Sequence, residues 1–279
     1  MDHPTNTTAP VLEHYGTQDL TQRVEQALRR AGLDRERLDW SDLAPLDQFH
    51  VRGLGASQEL ATGLNLAQGA RLLDVGCGLG GPARYLAAVF GAQVTGIDLN
   101  PSFVEVARML SERSGLGERA RFRQADALDL PFADASFDHA WTQHVAMNIA
   151  DRTRFYRNIH HILKPGGSLA IYDVVAGDGT PLVFPVPWAR RPEDSHLLTA
   201  EAMREALRQS GFEEVAWTDQ TPAGLAWFGQ QRAAPIPAQP PALGLHVVMG
   251  PEFKGMMANL GRNLEQGRVG LLQAILRSA

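Results

Sequence analysis

The sequence predicts an α/β fold in which helices cover both faces of a mostly parallel sheet. From residue 70 to residue 219, short apolar segments typical of buried strands alternate with segments of helical periodicity. Such alternation is typical of a parallel sheet with helices on both faces. A glycine-rich turn, GCGLGG, directly follows the first of these strands. Ligands of open α/β sheets bind beyond the carboxyl ends of the strands, so this turn marks a candidate binding site.

The elements follow an N-terminal helix at 18–31, which Gly32 ends, and a short helical segment within 46–68. Pro101 in a first helical turn, Thr199 as an N-cap and Gly211 as a C-cap support the helix limits. In order, the region contains strand ARLLDV, helix GGPARYLAAVFG, strand QVTGIDL, helix PSFVEVARMLSERSG, strands ARFRQAD and FDHAWTQ, helix DRTRFYRNIHHIL ended by KPGG, strand SLAIYDVV, helix TAEAMREALRQSG and strand FEEVAWTD.

The C-terminal part of the chain is less regular. Residues 221–242 are rich in Pro, Ala and Gln, which predicts an irregular linker. Residues 251–266 have a weakly amphipathic helical pattern. The segment VGLLQAILR (269–277) fits either a last strand or the end of a helix, and its periodicity leaves both interpretations open.

The composition indicates a soluble globular protein. The 279 residues are 44% hydrophobic and carry a formal net charge of -5, which argues against nucleic-acid and anionic-membrane partners. A single cysteine, Cys77, excludes a disulfide framework, and no His or Cys spacing predicts a metal site. The N-terminal segment lacks the features of a secretory signal, and no apolar run reaches membrane-spanning length. We therefore expect a cytoplasmic protein without a metal.

The glycine turn leaves two classes of cofactor open. Gly76, Gly78 and Gly81 satisfy G-x-G-x-x-G, which also occurs in nicotinamide-binding sites. A dinucleotide, however, brings a pyrophosphate that binds N–H groups away from other anions, whereas Asp74 lies two residues before the turn. Acids also end the next two strands, Asp98 in TGIDLN and Asp126 in QADALDL. Three successive acidic strand ends favour an adenosyl ligand with an amino-acid end.

Four segments together resemble the class I S-adenosylmethionine-dependent methyltransferases. They are LLDVGCGLGG, VTGIDLNPSFVEVAR, QADALDLPFADASFD and ILKPGG, and they cover roughly residues 70–175. The resemblance is to the small-molecule branch that includes ubiquinone/menaquinone-type and sarcosine/dimethylglycine-type enzymes. It implies a Rossmann-like seven-stranded sheet in the order 3-2-1-4-5-7-6, with a reversed last strand and an N-terminal helical lid. By this analogy VGLLQAILR is the reversed strand.

The resemblance also implies a division of the chain. Residues 1–55 would form the N-terminal cap or lid, and residues 56–220 the S-adenosylmethionine-binding core. Residues 221–268 would form a lid or insert of linker and helix, and residues 269–279 the last strand of the core sheet. The insert could form a dimer interface, and the oligomeric state stays open.

The cofactor contacts carry over to particular positions by the same resemblance. Asp98 would take the ribose hydroxyls, and the remaining residues would surround the adenine, the methionine part and the lid. The methionine part is assigned to Asp74, Gly76, Cys77, Gly78 and Gln143; the adenine to Leu99, Asp126 and Ala127; and the lid over the cofactor to Tyr15 and His50.

Methyl transfer to an O or N nucleophile of a small molecule is the reaction that the resemblance implies. Alignment of the nucleophile with the methyl group supplies much of the catalysis, and a general base removes a proton where one is present. His144 and Asp173 are the candidate catalytic residues. In the sarcosine/dimethylglycine-type pattern an acid stands at 144 and a histidine four positions on, where this chain has Asn148. This departure argues against an amino-acid amine as acceptor.

Two other functions remain as alternatives. One is a nicotinamide-dependent oxidoreductase, and the other is a non-catalytic partner protein that retains the cofactor fold. A nucleic-acid methyltransferase is disfavoured because TQHVAMN stands where an NPPY-like segment would be expected. The sequence does not identify the small-molecule acceptor, nor whether oxygen, nitrogen or carbon is methylated.

Overall fold

A single sheet of seven strands forms the centre of the computed structural model, which describes residues 19–235, 239 and 241–279. The strand order is β3-β2-β1-β4-β5-β7-β6, and β7 is antiparallel to both of its neighbours. The predicted order and the reversed last strand are therefore confirmed. The strands are β1 (Arg71–Val75), β2 (Gln93–Asp98), β3 (Ala120–Gln124), β4 (Phe137–Gln143), β5 (Leu163–Ala176), β6 (Phe212–Asp219) and β7 (Val269–Ser278).

Helices pack on both faces of the sheet. In the described part of the chain, none of them is long and apolar enough to cross a membrane. The α-helices are α1 (Leu20–Arg30), α2 (Ala44–Asp47), α3 (Leu54–Thr62), α4 (Gly81–Phe90), α5 (Pro101–Arg113), α6 (Arg152–Ile162), α7 (Ala200–Gln209), α8 (Thr221–Ala233), α9 (His246–Met249) and α10 (Phe253–Glu265), and short 3₁₀ turns occur at Trp40–Leu43, Ala146–Asn148 and Pro192–Asp194.

Local end signals fix several helix limits. Pro101 lies in the first turn of α5, and the Thr199 hydroxyl accepts a hydrogen bond from the Ala202 backbone N–H at the start of α7, as predicted. The C-cap of α7 is Ser210, and Gly211 follows it with a φ of +92°, so the predicted cap is displaced by one residue. Glycine suits this left-handed position because it has no Cβ.

The prediction of an irregular linker over 221–242 is wrong for its first half, which is helix α8. Pro222 lies in the first turn, where its missing N–H costs nothing. Gly224 packs so closely on β7 that an added Cβ would lie 2.3 Å from the Leu271 side chain, and a Cβ added at Gly261 of α10 would lie 3.1 Å from the Phe228 ring. Tertiary packing against the last strand and α10 therefore stabilises a helix that local composition does not predict.

Both faces of the sheet are buried in apolar clusters. Leu72, Trp141 and Tyr172 belong to one cluster, while Leu73 and Ile171, on the opposite face, belong to a second. This alternation follows from the two-residue period of a strand. A third cluster joins the N-terminal helices to α5, and it includes Leu20, Val24, Leu28, Leu43, Leu46, Phe103, Val106 and Leu110.

A buried ion pair ties the N-terminal helices to the glycine turn. The Arg84 Nη2 atom lies 2.8 Å from the Asp47 Oδ2 atom, and both side chains are almost completely buried. The same guanidinium donates to the carbonyl of Leu79 in the turn at 2.6 Å and to that of Ala107 in α5 at 3.3 Å. One side chain therefore fixes the position of α2, the turn and α5 relative to one another.

We expect Asp47→Ala to lower the free energy of unfolding by about 3–5 kcal/mol, because it leaves the buried Arg84 charge with two carbonyl acceptors but no counter-ion. Urea denaturation measures this loss. Asp42→Ala is the matched control, since its ion pair with Arg35 at 2.7 Å is partly exposed and should contribute less than about 1 kcal/mol. Equal losses in the two variants would contradict the importance of the buried pair.

Candidate functional site

A cleft of about 920 Å³, including the part open to solvent, lies at the carboxyl ends of β1, β2 and β4. Neither lysine nor arginine occurs among the described residues that line it. A ligand with several anionic groups is therefore poorly matched to its walls. The lining residues are Phe49, Gly76, Gly78, Ile97, Asp98, Leu99, Asn100, Phe103, Ala125, Asp126, Ala127, Leu128, Gln143, His144, Val145, Asn148 and Ile149.

The glycine turn is packed against protein at two of its positions. Gly76 has a φ of +73°, and a Cβ there would lie 2.3 Å from the Val145 side chain. A Cβ on Gly81 would lie 2.5 Å from both the backbone carbonyl and the carboxyl oxygen of Asp47. Oxygen atoms of the protein thus occupy the space at the start of α4, where a dinucleotide would place its pyrophosphate. This arrangement disfavours the nicotinamide alternative.

Asp98 ends β2 and turns its carboxylate toward the glycine turn. Its Oδ2 accepts the Gly78 backbone N–H and its Oδ1 accepts the Asn100 backbone N–H, each at 2.9 Å. Burial raises the pKa of Asp98, while these backbone donors act in the opposite direction. Each carboxylate oxygen has a second acceptor site, so a pair of ligand hydroxyls can be bound here.

Asp74 lies beneath the cleft and is not one of its lining residues. The side chain is buried, and its Oδ2 makes no hydrogen bond. Burial, and secondly the Asp98 carboxylate, raise the pKa of Asp74 to about 8. A cationic group bound above it would lower that pKa and hold the carboxylate ionised. The predicted contact of Asp74 with a ligand stays a prediction.

Asp126 both stabilises a local turn and lines the cleft. Its Oδ1 accepts the Leu128 backbone N–H at 2.8 Å, as expected for a turn-forming aspartate. The residue also lines the cleft together with Leu99 and Ala127. The three predicted adenine contacts are therefore brought together on one wall.

His144 follows β4 and adopts a left-handed backbone conformation, with φ +53°. Its backbone N–H donates to the Tyr172 carbonyl at 2.8 Å, and its ring stacks on the Tyr172 ring at a centroid distance of 5.2 Å. The His50 ring lies 6.1 Å away, edge-on. Burial, and secondly His50, lower the pKa of His144 well below 6.5, so the imidazole is neutral at pH 7. Its Nε2 makes no hydrogen bond.

Three other predicted site residues lie behind the walls. His50 is buried and its Nε2 lies 2.9 Å from the Gly53 carbonyl. Asp173 accepts the backbone N–H groups of Ala146 and Val174, at 3.1 and 3.0 Å, and so holds the 3₁₀ turn that carries Asn148. Cys77 is buried in the turn. None of the three lines the cleft, and Tyr15 lies outside the described residues; their predicted roles stay predictions.

Sequence reasoning did not find the apolar walls. Phe49 precedes the predicted His50, and its ring lies 5.7 Å from that of Phe103 on α5. No periodic pattern marks either ring as a cleft residue, because each is brought there by packing between distant segments. The other lining residues that were not assigned to the site are Ile97, Asn100, Ala125, Leu128, Val145, Asn148 and Ile149.

Comparison with known proteins identifies a matching family and several relatives of this chain. A family described as methyltransferase domain matches residues 73–171. The O-methyltransferase cnsE of Penicillium expansum is 37% identical over 64% of this chain and 65% of that protein. The O-methyltransferase resE of Aspergillus sclerotiorum is 33% identical over 64% of this chain and 69% of that protein. This chain thus spans less than two thirds of the first relative and slightly more than two thirds of the second.

A solved structure matches along the whole chain. The crystal structure of the [4+2]-cyclase SpnF is 25% identical and has a TM-score of 0.65, and the match covers 100% of this chain and 97% of that one. The similarity therefore includes the N-terminal and C-terminal segments that lie outside the family match.

We expect Asp74→Asn to stabilise the protein at pH 8. The folded-state pKa of about 8 exceeds the unfolded value of about 3.9, so the wild-type protein loses stability as the pH rises between these values. Asparagine does not ionise, so the variant keeps its stability over this pH range, and its melting temperature should exceed the wild-type value by roughly 3–8 °C at pH 8. Thermal unfolding at pH 8 and pH 4.5 measures the difference, which should shrink at the lower pH.

Asp129→Asn, at an exposed position, serves as the control and should change the melting temperature little at either pH. An Asp74→Asn protein that is less stable than the wild type at pH 8 would contradict the expectation that ionisation of the buried carboxyl destabilises the fold.

Proposed function

Because this chain belongs to the class I S-adenosylmethionine-dependent methyltransferases, we propose that it transfers a methyl group from S-adenosylmethionine to a hydroxyl oxygen of a small molecule. The observation that carries the proposal is the cleft itself. Asp98 and Asp126 line it beside the glycine turn, Asp74 is buried behind it, and no lysine or arginine lines the described walls. The O-methyltransferase relatives favour oxygen over nitrogen as the acceptor atom.

The residues present fit this cofactor. Asp98 would bind the ribose hydroxyls, and Asp126 with Leu99 and Ala127 would surround the adenine. The unpartnered Oδ2 of Asp74 supports a place for a cationic amino group above the strand end. When bound, S-adenosylmethionine would supply an electrophilic methyl group on a sulfonium; a nucleophile attacks the methyl carbon in line with the C–S bond, and S-adenosylhomocysteine is the leaving group.

His144 would act as the general base. The neutral imidazole can accept the proton of an acceptor hydroxyl, and its stacked contact with Tyr172 fixes the ring plane. Asp173 supports the neighbouring 3₁₀ turn through the Ala146 N–H, so its contribution would be to position the wall. Alignment of the hydroxyl at roughly 3–3.5 Å from the methyl carbon would supply the rest of the catalysis.

The acceptor would enter beside the 3₁₀ turn at Ala146–Asn148. The backbone N–H of His196 donates to the Met147 carbonyl, so the segment 181–198 is joined to this wall. Trp188 is buried in the core cluster, whereas Phe184 is only partly buried against it. These features support an apolar acceptor that this segment covers.

Incubation with methyl-labelled S-adenosylmethionine and a metabolite extract tests the proposal, and we expect a labelled methyl ether. Calorimetry with S-adenosylhomocysteine and with NAD separates the nicotinamide alternative. Binding of NAD alone would overturn the proposal, and so would binding of the nucleoside without methylation of any extract component.

The end-to-end similarity to the [4+2]-cyclase SpnF favours a second candidate function. A [4+2] cycloaddition joins a diene to an alkene and requires no proton transfer, so an apolar wall such as that of Phe49, Val145 and Ile149 could suffice. The absence of a histidine at 148 is consistent with this reaction. A cyclised, unlabelled product in the same incubation would favour this candidate over methyl transfer.

We expect His144→Gln to lower kcat for the labelled acceptor by about 10²-fold or more, because the glutamine cannot accept the proton. The dissociation constant for S-adenosylhomocysteine should change by less than about 3-fold. Steady-state kinetics and calorimetry measure the two effects, and His161→Gln, at an exposed position, is the control. An unchanged kcat would remove the proposed base.

A further inference from the structure

The covering segment, defined here as residues 181–198, runs along α10 in the opposite direction to the helix. Its first residue, Pro181, accepts a hydrogen bond on its carbonyl from Arg268, which lies just after α10. Further along, Arg190 forms an ion pair with Glu252, which directly precedes α10. The first half of the covering segment is therefore attached beside both ends of this helix.

Asn263 of α10 pairs with the backbone of Val183 between these two attachments. Its Oδ1 accepts the Val183 N–H at 2.8 Å, and its Nδ2 donates to the Val183 carbonyl at 3.0 Å. The Asn263 side chain is completely buried, and buried polar groups are costly unless they are paired. A shift of the covering segment by one residue would break both bonds, so Asn263 fixes its register on α10.

Asn259 repeats this contact one helical turn earlier. Residues four apart lie on the same face of a helix, about 6 Å from one another along its axis. The Asn259 Nδ2 atom donates to the Pro185 carbonyl at 2.9 Å. Proline has no backbone N–H, so this bond uses the one polar backbone group that Pro185 has. The two asparagines thus hold the covering segment at two points of one helix face.

The far end of the covering segment is joined to the wall of the cleft. The His196 N–H donates to the Met147 carbonyl at 2.8 Å, and the His196 carbonyl accepts from the Arg152 Nη2 atom at 2.8 Å. Arg152 is buried, and its Nε also donates at 3.1 Å to the carbonyl of Ile149, which lines the cleft. The covering segment therefore connects α10 to the wall that follows β4.

The residues beside Val183 carry apolar side chains. Leu182 and Phe184 are partly buried against the cluster that contains Tyr172, and the Tyr172 ring stacks on His144. Since α10 already pairs the backbone groups of Val183, the covering segment has hydrocarbon side chains to offer at this point. Contact with hydrocarbon is non-directional, so it selects a ligand by size and shape.

We propose that Asn259 and Asn263 are positioning residues for the acceptor, and that α10 supports a preformed apolar cover that recognises the hydrocarbon part of the acceptor by its size. The inference rests on the proposed function, which places an apolar acceptor under the covering segment. Neither asparagine lines the cleft. Changes at either position should therefore alter acceptor recognition without altering nucleoside affinity.

Asn263→Leu tests the proposal, because leucine has a similar size but cannot pair with Val183. Hydrogen–deuterium exchange, measured by mass spectrometry, should be faster by about 10-fold or more in the peptide that contains Val183, and unchanged in peptides from β5. The variant is also incubated with methyl-labelled S-adenosylmethionine and a dilution series of the metabolite extract. The extract concentration that gives half-maximal labelling should rise by about 5–10-fold. The maximal rate, and the dissociation constant for S-adenosylhomocysteine, should change by less than about 2-fold.

Asn259→Leu and Asn65→Leu complete the series. Asn259→Leu removes a single bond and should raise the half-maximal extract concentration by about 3–5-fold. Asn65 is exposed, and Asn65→Leu should leave all of these measurements unchanged. Circular dichroism checks folding; if Asn263→Leu does not fold, Asn259→Leu decides the proposal.

The outcomes distinguish this inference from the proposed function. Labelling by the wild-type protein, together with an unchanged half-maximal extract concentration in the folded asparagine variants, would overturn the inference alone. An equal rise in the dissociation constant for S-adenosylhomocysteine would also overturn it, because the effect would then come from a general loosening of the fold. Failure of the wild-type protein to label any extract component would overturn both.

Discussion

The geometry of the site depends first on the glycines of the turn after β1, because other segments pack into the space that a Cβ would occupy there. Val145 of one wall approaches Gly76, and Asp47 of the N-terminal helices approaches Gly81, more closely than any side chain at those positions would allow. Arg84 lies in the first part of α4, and its guanidinium donates hydrogen bonds both to Asp47 and to the Leu79 carbonyl in the glycine turn. Consequently, the turn, the cap and the wall after β4 have fixed relative positions, and the cleft is the space between them.

The electrostatic character of the cleft follows from this construction. Asp74 and Asp98 come from adjacent strands. Asp74 is buried, and both its burial and the neighbouring Asp98 carboxylate raise its pKa, so its ionisation costs free energy in the empty cleft. A sulfonium nucleoside with an ammonium group reduces this cost, whereas a pyrophosphate would increase it. The free-energy cost of ionising the buried carboxyl group is thus located where a cationic ligand can lower it.

The end of β4 supplies the groups that differ most in chemistry. Gln143 and His144 are consecutive, yet the left-handed conformation of His144 turns the chain so that both line the cleft. Each is held from behind by an aromatic residue, Trp141 through a hydrogen bond and Tyr172 through ring stacking. In the proposed reaction one would hold the cofactor and the other would receive a proton, and rigid support from the core would benefit both.

The alternation of strands and helices, the glycine turn and the acids at three strand ends could all be predicted from the sequence, because they depend on local periodicity and on residues adjacent in the chain. With the resemblance to a family, the sequence also predicted the strand order and most of the polar wall, including Asp98, Asp126 and His144. The helix α8 and the wall formed by Phe49 and Phe103 became apparent only in the folded structure. Both features depend on contacts between segments far apart in the chain. The energies of these contacts exceed local conformational preferences, and no short sequence pattern predicts them.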